Sequence, residues 1–155
     1  MNKYTFSLLD KFEDLPNKIS VIANKIHGRR FKIFNYDDLN YYYIGRLSIN
    51  EFKIDRAKGS FVLEATCNPY KYKAEKTFIE KTIAGTETIV LQNERKRVVP
   101  KITTDATMQL VFKDRTISLS EGTFEYLNLY LNEGETTVTV TGNGTIQFQY
   151  QEASL

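Results

Sequence analysis

The 155-residue chain sets 21 Lys and Arg against 19 Asp and Glu for a net charge of +2, and its 41% hydrophobic and 26% charged residues are ordinary for a folded globular protein. That composition excludes intrinsic disorder, and no run approaches the roughly 18 consecutive apolar residues of a membrane-spanning helix. One Cys, one His and no Trp exclude an intrachain disulfide and a zinc site of several Cys and His ligands, and leave a His-dependent nucleophilic triad only His27 to draw on.

The apolar run Tyr4 to Leu9 predicts a strand at the very start of the chain. It is too short for the core of a signal peptide and Asp10 interrupts it, so folding in a cytoplasm is expected. A chain that begins in mid-sheet also raises the expectation of truncation. Leu15, Ile19, Ile22 and Ile26 then recur at spacings of four, three and four, one apolar stripe of a helix over about residues 14–28. Asp14 is the expected N-cap, Pro16 falls in the first turn where a missing N–H does no harm, and Gly28 suits the left-handed residue after the last turn. Lys25 and His27 place positive charge at the helix C-terminus, where the macrodipole favours it.

Three strands are predicted next. Phe31 to Tyr36 is aromatic-rich, with turn chemistry at Asp37-Asp38-Leu39-Asn40. Tyr41 to Ile54 is long, and its apolar parity shifts from Tyr43, Leu47 and Ile49 to Phe52 and Ile54, which predicts a bulge near Asn50-Glu51. After a hairpin loop at 55–59, Phe61, Leu63, Ala65 and Cys67 alternate as a half-buried strand that Asn68-Pro69 is expected to stop. Composition then changes. Residues to Lys76 hold 14 Lys and Arg against 9 Asp and Glu, and residues from Thr77 hold 7 against 10 together with 14 Thr. Two domains are expected, 1–76 and 77–155, the second rich in strand-favouring residues. Its turn signals fall at Ala84-Gly85, Asn93-Glu94, Thr104-Asp105, Lys113-Asp114, Glu121-Gly122, Asn132-Glu133-Gly134 and Gly142-Asn143-Gly144. The intervening runs, 88–92, 98–102, 108–112, 116–119, 126–131, 137–141 and 145–150, predict an antiparallel β-sandwich of about seven strands, with Pro100 on an edge or at a bulge. The fold class is α+β and mostly β.

No constellation carries chemistry. His27 reads as a solvated residue at a helix end, and Cys67 shares the parity of buried Phe61, Leu63 and Ala65. The acids Asp37-Asp38, and Asp10 with Glu13 and Asp14, sit where Asp bonds locally in turns and helix starts. Gly142-Asn143-Gly144 reads as a tight hairpin, since no Lys-Ser/Thr follows it as in a phosphate loop. Basic runs occur at 25–32 and at Arg95-Lys96-Arg97, and Tyr41-Tyr42-Tyr43 with Arg46 could offer stacking to a single-stranded nucleic acid. Strand alternation sends Tyr42 to the face opposite Tyr41 and Tyr43, and a net charge of +2 is small for a nucleic-acid binder, so no nucleic-acid specificity is expected. Phe124, Tyr126, Tyr130 and Tyr150 are the aromatics of the second half that could meet a sugar or a protein partner, against the ordinary reading of strand aromatics as core or cross-strand pairs. No catalytic residue, metal or cofactor is expected, and no membrane partner.

The order of these features resembles the distal tail protein (Dit) family of long-tailed siphophages. The likeness rests on the helix, the aromatic Tyr41-Tyr42-Tyr43-Ile44-Gly45-Arg46, the strand closing in Cys67-Asn68-Pro69-Tyr70-Lys71-Tyr72, the ending Gly134 to Gly144, and Phe148 to Leu155. It implies an N-terminal β-rich ring-forming domain, hexameric in the full-length family form, followed by a galectin-like sandwich that faces receptor-binding or other baseplate components. It implies a non-enzymatic virion part, made in the host cytoplasm, joining tail tube to tail tip in a phage or prophage. Family members carry further strands before the one that Tyr4 to Leu9 resembles, so residues 1–76 are expected to be part of a larger domain. A carbohydrate-binding sandwich contacting a bacterial surface is the alternative.

Overall fold

Pro16 and the Leu15–Ile19 spacing place the one helix where the sequence pattern puts it, as α1 (Leu15–Ile26). The computed structural model describes residues 2–9, 13–55 and 58–155, in two compact units, 1–69 and 70–155. Asp14 stands at the N-cap position but keeps helical dihedrals (φ −89°, ψ −21°) and makes no side-chain capping bond. At the other end the chain turns through Gly28 at φ +75°, a conformation that costs glycine little. That turn is stitched to a neighbouring strand: Gly28 N–H donates to Leu47 O at 2.7 Å, Leu47 N–H to Arg29 O at 3.1 Å, and Ile49 N–H to Nδ1 of His27 at 3.1 Å.

The first unit is an antiparallel sheet in the order β1 (Asn2–Leu9), β4 (Lys58–Lys73), β3 (Asp38–Asp55), β2 (Arg30–Asn35). Leu15 and Ile19 bury the N-terminal half of the helix stripe, while Ile22 and Ile26 are half-buried and Val21 is exposed. The helix comes close because the strand beneath it is bare at Gly59, where a Cβ would lie 3.3 Å from Leu15 Cδ2. Tyr42 is buried and its ring lies 5.5 Å from that of Phe34, its cross-strand partner, whereas Tyr41 and Tyr43 are half-buried. The expected change of face within β3 turns on Phe52 and Ile54, of which the structure describes the backbone alone. Asn68-Pro69 does not stop β4, which runs on to Lys73. The β1 ladder ends at Ala65 and the next partner joins at residues 71–72, so Pro69 falls opposite neither and its missing N–H breaks no bond on that edge.

The second unit is a six-stranded antiparallel arrangement. Its order is β8 (Arg115–Leu119), β7 (Met108–Phe112), β10 (Gly134–Tyr150), β6 (Lys101–Thr104), β9 (Gly122–Glu125), with β5 (Thr77–Asn93) along the other edge of β10. A short β11 (Ala153–Ser154) pairs with the end of β4, Ala153 opposite Tyr72. Burial alternates strictly in β7, and Leu91, Ile102, Leu110, Val138, Ile146 and Phe148 are fully enclosed at the centre of the core.

Three expectations for this half are corrected. Ala84-Gly85 and Gly142-Asn143-Gly144 are not turns. They lie opposite one another, Gly85 against Gly142 and Ala84 against Asn143, inside one continuous ladder of β5 on β10. On its other edge β10 pairs with β7 through 138–142 and with β6 through 146–149, so the glycines mark the point where it changes partner. Residues 126–131 form no named strand. Their alternation comes from Leu129 and Leu131, buried from a loop that touches the ladder only where Leu131 bridges Val98. Gly122–Glu125, read as a turn and its sequel, is instead the edge strand β9. Among the described residues the protein is mostly β with one helix, and its sheets are antiparallel. Among the described residues no helix is long and apolar enough to cross a membrane.

Candidate interaction surface of the second unit

The residues that invited a chemical reading have ordinary local surroundings. The His27 imidazole is exposed and spends Nδ1 on the Ile49 N–H. Cys67 is half-buried, and an added Cβ at Gly45 would stand 2.8 Å from its Sγ; burial pushes the thiol up from its ordinary value. Asp37 and Asp38 sit at the turn joining β2 to β3, Glu13 and Asp14 are exposed before the helix, and Asp10 lies outside the described residues.

Tyr150 belongs to the core. It is 3% exposed, its hydroxyl donates to Gln92 O, and burial followed by the nearby Glu152 charge pushes its pKa up to about 12. Glu152 is itself enclosed. It accepts from Lys73 Nζ at 2.7 Å, from the Thr77 hydroxyl, and from the Glu94 N–H at 3.0 Å. Burial pushes this carboxyl up, but the bonds from Lys73 and Thr77, the Lys73 charge and the Glu94 N–H outweigh it, and its pKa is held below the ordinary range. Around it Gln151 Nε2 donates to Lys73 O and Lys96 N–H to Ala153 O, so the C-terminal strand is held by polar bonds as well as by its ladder.

The three remaining aromatics lie along one side of the unit. Phe124 and Tyr126 stack on each other with centroids 5.9 Å apart and planes at 28°. The Arg97 guanidinium lies 3.5 Å from the centre of the Tyr130 ring, Lys113 Nζ lies 4.8 Å from it, and Phe112 meets it edge-on at 6.1 Å. Two shallow depressions adjoin these rings. One, of 360 Å³, is lined by Phe112, Arg115, Thr116, Ile117, Tyr126 and Asn128. The other, of 280 Å³, has Lys113, Asp114 and Tyr130 beside the same Phe112, Arg115 and Asn128. A continuous surface thus runs from Tyr126 to Tyr130 past the two-residue turn Lys113-Asp114, where Lys113 has φ +53°.

The basic run Arg95-Lys96-Arg97 is not one patch. Lys96 bonds the Tyr72 hydroxyl at 2.6 Å and lies over that ring, whereas Arg97 turns to Tyr130. Arg115 and Asn128 carried no sign in the sequence. The nearest signal was the Lys113-Asp114 turn, which brings Arg115 opposite Phe112.

No protein-family model matches this chain, and no curated protein sequence matches it. Among solved structures it is similar to the Dit (gp 19.1) protein of SPP1, described as a paradigm of the hub adsorption apparatus in phages infecting Gram-positive bacteria. That match has a TM-score of 0.60 at 15% identity, over 99% of this chain and 78% of that one. A cupin-2 domain protein from Shewanella frigidimarina aligns with a TM-score of only 0.30 at 13% identity, over 90% of this chain and 92% of that one. The agreement with the SPP1 protein spans both units, and the chain has a Dit-like fold.

Proposed function

We propose that this chain is a structural component of a phage tail hub, joining the tail tube to the tail tip or baseplate through surfaces and not through catalysis. The observation that carries the reading is the likeness of fold to a phage hub protein along 99% of the chain. In this reading residues 1–76 are the ring-forming part and residues 77–155 face other tail or receptor-binding components. The exposed apolar side chains of the first unit, Val21, Phe34, Tyr36 and Leu39, support self-association there, because such surface gains by leaving water. In this reading the protein belongs to the virion tail, after synthesis in the bacterial host.

The carbohydrate-binding alternative has weaker support. A sugar ring stacks on an open aromatic face, and one face of Phe124 and of Tyr126 is taken by the other ring while Arg97 and Lys113 lie against Tyr130. Light scattering with negative-stain microscopy of the full-length native protein tests the hub reading. Ring-shaped oligomers, six-fold in the family pattern, are expected as concentration rises, and a monomer that persists at high concentration would overturn the ring assignment.

A further inference from the structure

We propose that the surface between Tyr126 and Tyr130 binds an acidic, partly apolar peptide segment of a protein partner. Arg97, Lys113 and Arg115 are exposed there, and among the described residues none of them is ion-paired with a carboxylate. Asp114, the one acid lining the surface, is exposed in the turn between Lys113 and Arg115. The Arg97 guanidinium lies 3.5 Å from the centre of the Tyr130 ring, and among the described residues no hydrogen bond occupies its N–H donors, which are available to a carboxylate. An arginine already held in this way loses little side-chain freedom on binding.

The neighbouring depression fixes the other half of the ligand. Its 360 Å³ are lined by Phe112, Ile117 and Tyr126 beside Arg115, which suits an aliphatic or aromatic side chain next to an acidic one. Asn128, between the two depressions, offers an amide to the peptide backbone. A bare phosphate polymer is disfavoured by the apolar lining. The proposal is read from this surface alone and stands apart from the hub reading, since a monomer could bind such a peptide equally well.

Fluorescence anisotropy tests it, using a labelled octapeptide of alternating glutamate and leucine, its glutamine counterpart, and a polyglycerol phosphate as competitor. Binding of the glutamate peptide is expected to weaken about tenfold in an Arg97→Gln, Lys113→Gln, Arg115→Gln triple variant, the sum of three exposed charge pairs. It should weaken similarly for the glutamine peptide and between low and high salt. Tyr126→Ala should weaken the glutamate–leucine peptide but not a peptide of glutamate and serine. Equal affinity for the glutamate and glutamine peptides overturns the proposal whatever the fold of the variants. So does tighter binding of the phosphate polymer than of the peptide, or no binding at about 1 mM peptide.

Discussion

Gly85 and Gly144 stand two residues out of register across the β5–β10 ladder, both with positive φ (+92° and +142°), but in different surroundings. A Cβ added at Gly85 meets nothing within 4 Å, whereas one added at Gly144 would collide with Asp105 Oδ1 and lie 2.9 Å from Ala106 Cβ. Gly85→Ala therefore carries backbone strain alone, about 1–3 kcal/mol. Gly144→Ala adds overpacking of about 1–3 kcal/mol to a similar strain, because Asp105 and Ala106 belong to the turn that β10 bends around. Asp105 also accepts the Thr145 N–H at 2.7 Å, so moving it away strains or breaks that bond. The difference between the two variants isolates the steric part. Urea unfolding followed by far-UV circular dichroism measures it without a Trp reporter, which the chain lacks. Variants of equal stability, within about 0.5 kcal/mol, would refute the assignment of the glycine to close packing.

Two further perturbations follow from burial. Phe148→Ala, at a fully enclosed side chain, should cost about 3–5 kcal/mol, while Phe78→Ala, at a half-exposed ring of the paired strand, should cost under about 1 kcal/mol by the same urea titration. A comparable loss at both would place Phe148 outside the core. The Glu152 carboxyl is held below its ordinary value when folded, so the unfolded chain binds the proton more readily. Its contribution is complete above the unfolded carboxylate value, about 4.3, and is lost as pH falls through the lower folded value. Glu152→Gln should lower stability at pH 7 and flatten the fall toward pH 3; an unchanged acid limb in urea midpoints would contradict the network around Lys73, Thr77 and Glu94.

What the sequence revealed was local. The helix was legible because Leu15, Ile19, Pro16 and Gly28 act over neighbouring turns, and β7 and β8 because each strand alternates around a two-residue turn. The long strands β5 and β10 were not, since glycines that bend a ladder and glycines that reverse a chain look alike until Asp105 and Ala106 are known to press on them. Leu129 and Leu131 imitate a strand from a loop because burial, not pairing, sets their spacing. The Glu152 network joins residues 73 and 152, and Arg97 reaches Tyr130, separations at which no sequence pattern operates. Phe124, Tyr126 and Tyr130 were visible as aromatics and Arg97 as part of a basic run, but the gathering of Arg97, Lys113 and Arg115 beside those rings was not. The likeness of fold came from the order of elements, which two chains can share at 15% identity.

The central claim is a place in the virion. Immunogold labelling of phage particles released by a host carrying this gene, with antibody raised against the purified chain, tests it most directly. Label confined to the far end of the tail is expected. Label on the capsid or along the tail tube, or its absence from assembled particles, would contradict it.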